Sequence, residues 1–474
     1  MKYIKKFQNH TQYETYMGSG SVVLPNVSHC VQENEVHYNP WTWAEEYLTT
    51  VALEDGTISF NIWQSMGSDM ITSISYSTDD GETWTTTANQ DNKQENLVID
   101  VNVNEGDKVL WKGIATQTGH YYEDYGDYIG SFFSSDCEFD AKGNVMSLLY
   151  GDDFKGETTI EEDGAFCALF SDYDGNVECK VVNAKDLSLP ATTLASYCYF
   201  CMFFGCTTLT TPPSILPATT LADYCYDDMF YNCTSLTAAP ELPATTLASY
   251  CYSYMFYNCT SLTTAHALPA TTLTNYCYRS MFNGCTSLTT APELPATTLA
   301  ESCYVDMFQG CTSLVVAPVL PATTLAINCY YRMFDGCTSL TTAPELSATT
   351  LANDCYNSMF SGCVNLITAP VLPATTLESN CYNTMFFGCT SLTTAPELPA
   401  TTLVQYCYTN MFNGCTNLNY IKAMFTTTPS TSYTRDWVNS VSASGTFVKN
   451  SAAQWNVSGV NGIPTGWTVQ TASA

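Results

Sequence analysis

Cys277-Tyr278-Arg279-Ser280-Met281-Phe282-Asn283-Gly284-Cys285-Thr286-Ser287-Leu288 decides the fold, because the chain repeats it. Its first cysteine recurs at Cys198, Cys225, Cys251, Cys277, Cys303, Cys329, Cys355, Cys381 and Cys407, with one step of 27 residues followed by steps of 26. The second cysteine follows eight residues later in every unit, from Cys206 to Cys415. A fixed period of this length marks units that cannot bury their apolar residues alone and do so by stacking. Repeat positions account for 18 of the 23 cysteines, so the thiols belong to a pattern rather than to a disulfide framework.

Ala270-Thr271-Thr272-Leu273 opens one unit with a threonine suited to an N-cap. Leu273, Cys277 and Met281 then recur at i, i+4 and i+8, which predicts a short helix with one buried face. The residue before each second cysteine is always Gly or Asn: Gly205, Asn232, Asn258, Gly284, Gly310, Gly336, Gly362, Gly388 and Gly414. These residues tolerate positive φ best, which predicts a left-handed C-terminal cap there. The Cys-Thr-Ser-Leu-Thr-Thr stretch that follows predicts a short strand. Proline ends that strand, as at Pro269 and Pro295, with Ser347 taking its place in one unit. Each coil should then carry a helix on a convex side and a strand on a concave side. Strands about 4.8 Å apart give a concave side about 40 Å long, while helices about 9 Å apart make the other side longer, so the stack is expected to curve.

The Cys-Tyr-x-x-Met-Phe-x-Gly-Cys-Thr-Ser-Leu pattern resembles leucine-rich repeats of the BspA surface-protein type, in a longer 26-residue form. The resemblance implies a mixed α/β leucine-rich-repeat solenoid of nine coils, each a short helix plus a short strand. Preceding it, a small all-β domain of Ig-like sandwich type is expected from alternating segments such as Thr57-Ile58-Ser59-Phe60-Asn61-Ile62-Trp63 and Asn96 to Val103. The expected organisation is an N-terminal anchoring arm over 1–45, a β-sandwich-like domain over 46–156 whose end falls between 115 and 156, and a degenerate capping repeat over 157–186. The solenoid follows over 187–425, and a C-terminal cap over 426–474. Phe166-Cys167-Ala168-Leu169-Phe170 carries the capping repeat. Trp437, Val438 and Val441 predict a short helix in the cap, and Gly462 to Val469 a closing strand.

The formal net charge is −30, from 45 acidic and 15 basic residues. Residues 1–186 hold 32 acidic and 10 basic residues, and residues 187–425 hold 12 and 3, so the chain changes character near residue 187. Arginine occurs only at Arg279, Arg332 and Arg435, which leaves no basic groove for phosphates and excludes nucleic acid as an expected partner. Apolar runs are far shorter than the roughly 20 residues that cross a bilayer, so no membrane insertion is expected. The basic start Met1-Lys2-Tyr3-Ile4-Lys5-Lys6 turns polar without an apolar run, and no export signal is read there.

Ser77-Thr78-Asp79-Asp80-Gly81-Glu82-Thr83-Trp84 fits the Asp-box pattern S-x-D-x-G-x-T-W of sialidase propellers, here in one copy. A carboxylated-sugar site would need several blades and an arginine cluster, and no arginine precedes Arg279, so a hairpin turn is expected instead. Acid mixed with tyrosine in His120 to Tyr128 and Ser171 to Glu178 suits a hard cation such as calcium, with no ligand residues assigned. The histidines show no metal spacing with cysteine, so no zinc or redox site is expected, and no cofactor otherwise.

Within the repeats the Leu, Met, Phe and Cys positions hardly vary, while the pairs Asp227-Asp228, Ser253-Tyr254, Arg279-Ser280, Val305-Asp306 and Tyr331-Arg332 do. Placed on an exposed convex face, Tyr254, Arg279, Asp306, Tyr331 and Arg332 are the expected binding residues, with chemistry that suits sugars. The concave Thr pairs, such as Thr263-Thr264, are expected only for their β propensity.

The first 45 residues carry Phe7, Tyr13, Tyr16, Tyr38 and Trp41 around Pro25-Asn26-Val27-Ser28. This segment resembles the leader of virion proteins of crAss-like gut bacteriophages, which implies anchoring of those aromatic residues to other virion proteins. The leading expectation is therefore a non-enzymatic phage virion structural protein, a head or tail fibre or decoration protein on the virion surface, assembled in the host cytoplasm. It would display the solenoid to a host polysaccharide, surface protein or mucus glycan, as a homotrimer. The alternative is a BspA-like adhesin on a bacterial cell surface. No nucleophile, base or carboxylate pair stands out for catalysis.

Overall fold

The structure, a computed structural model, describes residues 45–62, 71–88, 97–115, 119–122, 127–171 and 178–472. Two sheets and a separate hairpin of β7 (Gly119–Tyr122) and β8 (Asp127–Gly130) build its N-terminal part. One runs β11 (Val181–Asn183), β10 (Phe139–Asn144), β1 (Leu48–Ala52), β6 (Lys108–Ala115), β3 (Ile71–Ser77) and β4 (Thr85–Ala88), with β12 (Leu187–Ser188) also on β10. The other runs β5 (Leu97–Val103), β2 (Gly56–Ile62) and β9 (Phe132–Ser135). In β5, Ile99, Val101 and Val103 are buried while Asp100 and Asn102 are exposed, the period of two that a strand requires. Phe60 faces Ile99 on one side and Phe133 on the other. Trp111 packs against Phe133 at 5.2 Å and donates its indole N–H to Thr50 Oγ1 at 3.1 Å. The two sheets thus pack face to face as a sandwich whose larger sheet is mixed, since β11 and β12 join β10 in parallel.

Those two parallel strands are where the repeats begin. Phe133 stacks on Phe170 at 5.3 Å, Phe170 on Phe203 at 5.0 Å and Phe203 on Phe230 at 5.3 Å, so the sandwich core runs into the repeat core without a break.

The helix expected in each coil is absent. Among the described residues the one α-helix is Ser147–Tyr150, between the sandwich and the repeats. In its place stands a chain of β-turns. Arg279, Met281, Asn283 and Cys285 donate their N–H groups three residues back, to Tyr276, Tyr278, Ser280 and Phe282. The intervening Tyr278, Ser280, Phe282 and Gly284 donate instead to Cys303, Val305, Met307 and Gln309 of the next coil, at 2.8 to 3.1 Å. Half of the backbone donors thus bond along the stack, and the i→i−4 ladder of a helix has no donors left.

Every fourth residue is left-handed, with φ of 58° at Tyr276, 51° at Ser280 and 75° at Gly284. The Gly/Asn column before the second cysteine has the positive φ expected of it, as the third residue of a turn rather than as a helix cap. Two further columns share that conformation with no glycine in them, such as Tyr250 and Tyr254 one coil earlier.

The Thr-rich stretch is likewise shorter than a strand, forming single parallel bridges such as Thr290 to Val316 and Thr342 to Thr368. Thr263 donates to Thr237 O at 3.1 Å on this side, and Tyr252 to Cys277 O at 3.0 Å on the turn side. Both sides are joined at hydrogen-bond spacing, so the unequal spacing behind the expected curvature is absent.

The same backbone continues one unit past the cysteine pairs at each end. Phe166 and Phe170 donate to Cys198 O and Met202 O, with positive φ at Gly164 and Ala168. Phe412 and Gly414 donate to Trp437 O and Asn439 O, with positive φ at Asp436 and Ser440. The short helix expected around Trp437 is therefore another turn chain, in which Trp437 packs against Phe412 at 6.2 Å. A parallel sheet of β13 (Tyr420–Ala423), β14 (Thr446–Lys449) and β15 (Thr468–Thr471) closes this end, its last strand lying at the end of the expected Gly462 to Val469 stretch and beyond it.

Inside the coils lie columns of identical side chains. Nine tyrosines from Tyr199 to Tyr408 stack at 5.5 to 6.0 Å, alongside the phenylalanines from Phe203 to Phe412. All 22 described cysteines are buried. Each second cysteine donates its thiol to a phenylalanine carbonyl of the preceding coil, as Cys285 Sγ does to Phe256 O at 3.1 Å. Burial pushes these thiols up, Cys311 to about 12, which keeps them protonated and unreactive at neutral pH.

The hydroxyls of Tyr199, Tyr226, Tyr252, Tyr278 and Tyr408 are buried without a hydrogen-bond partner. Removing one should relieve an uncompensated desolvation cost. Tyr252→Phe is expected to raise stability by about 1 kcal/mol, read as a higher urea midpoint at unchanged slope. A lower midpoint would show that the hydroxyl has a partner.

Candidate functional site

The turn side of the first coils is aromatic. Tyr197, Tyr224, Tyr250 and Tyr276 stack at 4.6 Å, and Phe204, Tyr231 and Tyr257 at 4.8 and 4.6 Å. The left-handed residues repeat at one register, so identical rings lie one above another. Stacking consumes the ring faces, and the ladders turn edges and hydroxyls outward rather than flat platforms.

Arg279 ends this ladder, its guanidinium 5.2 Å from the Tyr254 ring centre and 5.9 Å from that of Tyr276. A polar ladder takes over: Asn283 Nδ2 donates to Gln309 Oε1 at 2.8 Å, and Gln309 Nε2 to Asp335 Oδ2 at 3.1 Å. Arg332 lies 3.8 Å from Asp306 and forks onto Asp335 Oδ2 at 2.9 and 3.0 Å. The structure thus brings Tyr254 to Arg279, and Asp306 to Arg332. Tyr331 is half-buried beside them in the chain.

The expected exposed variable face needs correction. Asp227, Ser253, Ser280 and Val305 are buried, and Tyr254, Arg279, Asp306, Tyr331 and Arg332 are half-buried. In a chain of turns with coils at hydrogen-bond spacing, much of each variable pair is covered by its own column. Part of the variation is therefore packing within a column. Phe7, Tyr13, Tyr16, Tyr38 and Trp41, expected from the sequence to anchor the chain to a virion, lie outside the described residues, as do 123–126 and 172–177 of the acidic stretches.

Burial pushes the Asp228 carboxyl up to about 7, and burial together with the Asp228 charge raises Asp227, partly offset by Ser253 and Arg279. A carboxyl whose folded pKa exceeds its unfolded value contributes stability that is complete below about pH 4 and lost as pH rises towards 7. Asp228→Asn removes that loss and suits the positive φ of 55° at this position. It is expected to gain about 1 to 2 kcal/mol at pH 8 and nothing at pH 4, as read from urea unfolding at both pH values. Equal gains at both would assign the effect to backbone conformation alone.

The Asp-box stretch is the hairpin turn between β3 and β4, with Tyr76 opposite Thr85. Asp79 accepts from Ser77 Oγ at 2.7 Å, Thr83 N at 2.9 Å and Thr83 Oγ1 at 2.6 Å, bonds that hold its carboxyl down at about 2. The motif closes on itself, and its last residue, Trp84, packs on Tyr47 at 5.1 Å and under the Lys112 ammonium at 4.1 Å.

The opposite side of each coil presents a column that the sequence pattern had not singled out. Spaced 26 apart, it reads Glu241, Ala267, Glu293, Val319, Glu345, Val371 and Glu397. Val319 is 76 % exposed and Val371 72 %, the highest values among the large apolar residues described. Val315, Val316 and Ile367 lie exposed in the same two coils, where most other coils carry threonine. The 52-residue alternation was readable in the sequence and was masked by the Thr pairs beside it.

Among the described residues no group of three or more His, Cys, Asp or Glu side chains is placed to hold a metal ion, and no helix is long and apolar enough to cross a membrane.

A family model for the BspA-type leucine-rich repeat region matches residues 180–315 and 301–434, in six copies. These matches span more than half of the chain, which belongs to the BspA-type leucine-rich repeat family. No curated protein and no solved structure matches it.

Proposed function

We propose that the protein is a non-enzymatic, adhesin-like surface protein whose stacked coils form a solenoid that presents a binding face to a glycan or protein on another cell. The supporting observation is the division of labour within each coil. Cysteine, methionine, tyrosine and phenylalanine columns are buried and nearly invariant along the chain, while outward columns change from coil to coil. A frame held constant beneath a varied surface suits display. The family match to BspA-type repeats favours a cell surface as the location. A particle-borne role rests on residues 1–45 alone, of which only Glu45 is described, and nothing in the described residues favours it. Homotrimer assembly and a bound calcium ion belong to this proposal as untried features.

The test is binding of the purified full-length protein to mucin and to intact host cells, with the released material assayed for glycan cleavage. Saturable binding without cleavage is expected. Cleavage of a glycan would end the non-enzymatic part of the proposal, and absence of binding to every surface would end the adhesin part.

A further inference from the structure

The Glu/Val column repeats every two coils, and at about 4.8 Å per coil its period is about 9.6 Å. Hydrogen bonds fix that register: Leu268 N donates to Glu293 O at 3.2 Å, and Leu320 bridges Leu346 in parallel. Carboxylates at Glu293 and Glu345 flank Val319, and Val371 follows before Glu397. Lys422 pairs with Glu397 at 2.9 Å, while no ion pair of Glu293 or Glu345 occurs among the described residues. The strip is thus alternately acidic and apolar, and open to solvent.

Resting on the adhesin proposal, we propose that this strip docks an extended β-1,4-linked polysaccharide, uncharged or bearing amino groups, running along the stack axis. Such a chain is a ribbon in which each sugar is turned over relative to the next, so a given edge group returns once per disaccharide. Two coils match one disaccharide in length. The apolar C–H face of the pyranose rings lies on Val319 and Val371. Hydroxyl or ammonium groups recurring along one edge donate to Glu293 and Glu345, which are acceptors only. The net charge of −30 repels uronates and sialic acids. An α-1,4-linked chain coils and loses the register after the first contact.

The experiment titrates the full-length protein calorimetrically with chitohexaose, cellohexaose and chitosan hexamer, against maltohexaose and a hyaluronan hexamer as controls. At least one β-1,4 hexamer should bind about tenfold more tightly than either control. Val319→Glu with Val371→Glu should weaken that binding about tenfold, as should Glu293→Ala with Glu345→Ala, with unchanged thermal unfolding because these side chains are exposed. Equal binding of maltohexaose, or full affinity in both double variants, would overturn the strip as the site. Adhesion to cells without binding of any β-1,4 hexamer would overturn this inference and leave the adhesin proposal standing, whereas absence of both would remove both.

Discussion

Phe308→Ala should lower the stability of the repeat region by about 3 to 5 kcal/mol. Phe308 is fully buried and stacked between Phe282 and Phe334, each at 5.7 Å. The coils are joined by hydrogen bonds along the stack on both sides, so neighbouring units cannot close onto the space the ring leaves without breaking those bonds. A truncation of this kind therefore carries the transfer cost and most of the cavity cost. Phe308→Leu keeps much of the volume and should cost less than half as much. Chemical denaturation measures both. Because each coil contacts only its neighbours, a defect at mid-stack should also split the unfolding transition in two. A single transition with a loss below about 1 kcal/mol would mean that the phenylalanine column is not a packed core.

Much of this architecture was legible from the period alone. The 26-residue step gave the stacking, and the inward columns followed from which positions stayed apolar. The Gly/Asn column correctly required positive φ. The helix did not follow, and the reason lies in the spacing. Leu273, Cys277, Met281 and Cys285 are each four residues apart. An α-helix turns about 100° per residue, so twelve residues carry the last of these roughly 120° away from the first. A strict period of four keeps all of them on one side only if the backbone itself repeats every four residues, as the turn chain does. What no residue type announced was positive φ at Tyr276, Ser280 or Arg332, because these are not residues that seek it. The stack imposes that conformation through the hydrogen bonds to the next coil.

The candidate site was half legible for the same reason. The variable pairs are legible in the sequence, but a helix surface would expose both members of each. In the turn chain Ser253 is buried and Tyr254 packs against Tyr257 and Arg279. The Glu/Val strip escaped notice because its signal spans two coils, and comparing each coil with a consensus treats Val319 and Val371 as exceptions rather than as a second period.

Gly143→Ala should cost about 3 to 4 kcal/mol, the sum of left-handed strain and a backbone collision. Gly143 has a φ of 80°, and a Cβ there would run into the carbonyl of Tyr47. Around it three segments meet: Gly143 donates to Asp186 O at 3.0 Å and lies opposite Leu187 of β12, while Asn144 donates to Glu46 O at 2.9 Å. This is the junction at which the sandwich sheet accepts the first strands of the repeats, so moving the Tyr47 carbonyl aside disturbs both bodies. Gly106→Ala is the internal control, since Gly106 has a φ of 87° but no atom within 4 Å of the added carbon. It should cost about 1 kcal/mol from conformation alone. Thermal unfolding followed through the fluorescence of buried Trp111 compares the two. A clear excess for Gly143→Ala is expected, and equal losses would show that the close approach of the Tyr47 carbonyl is not what demands glycine at this junction.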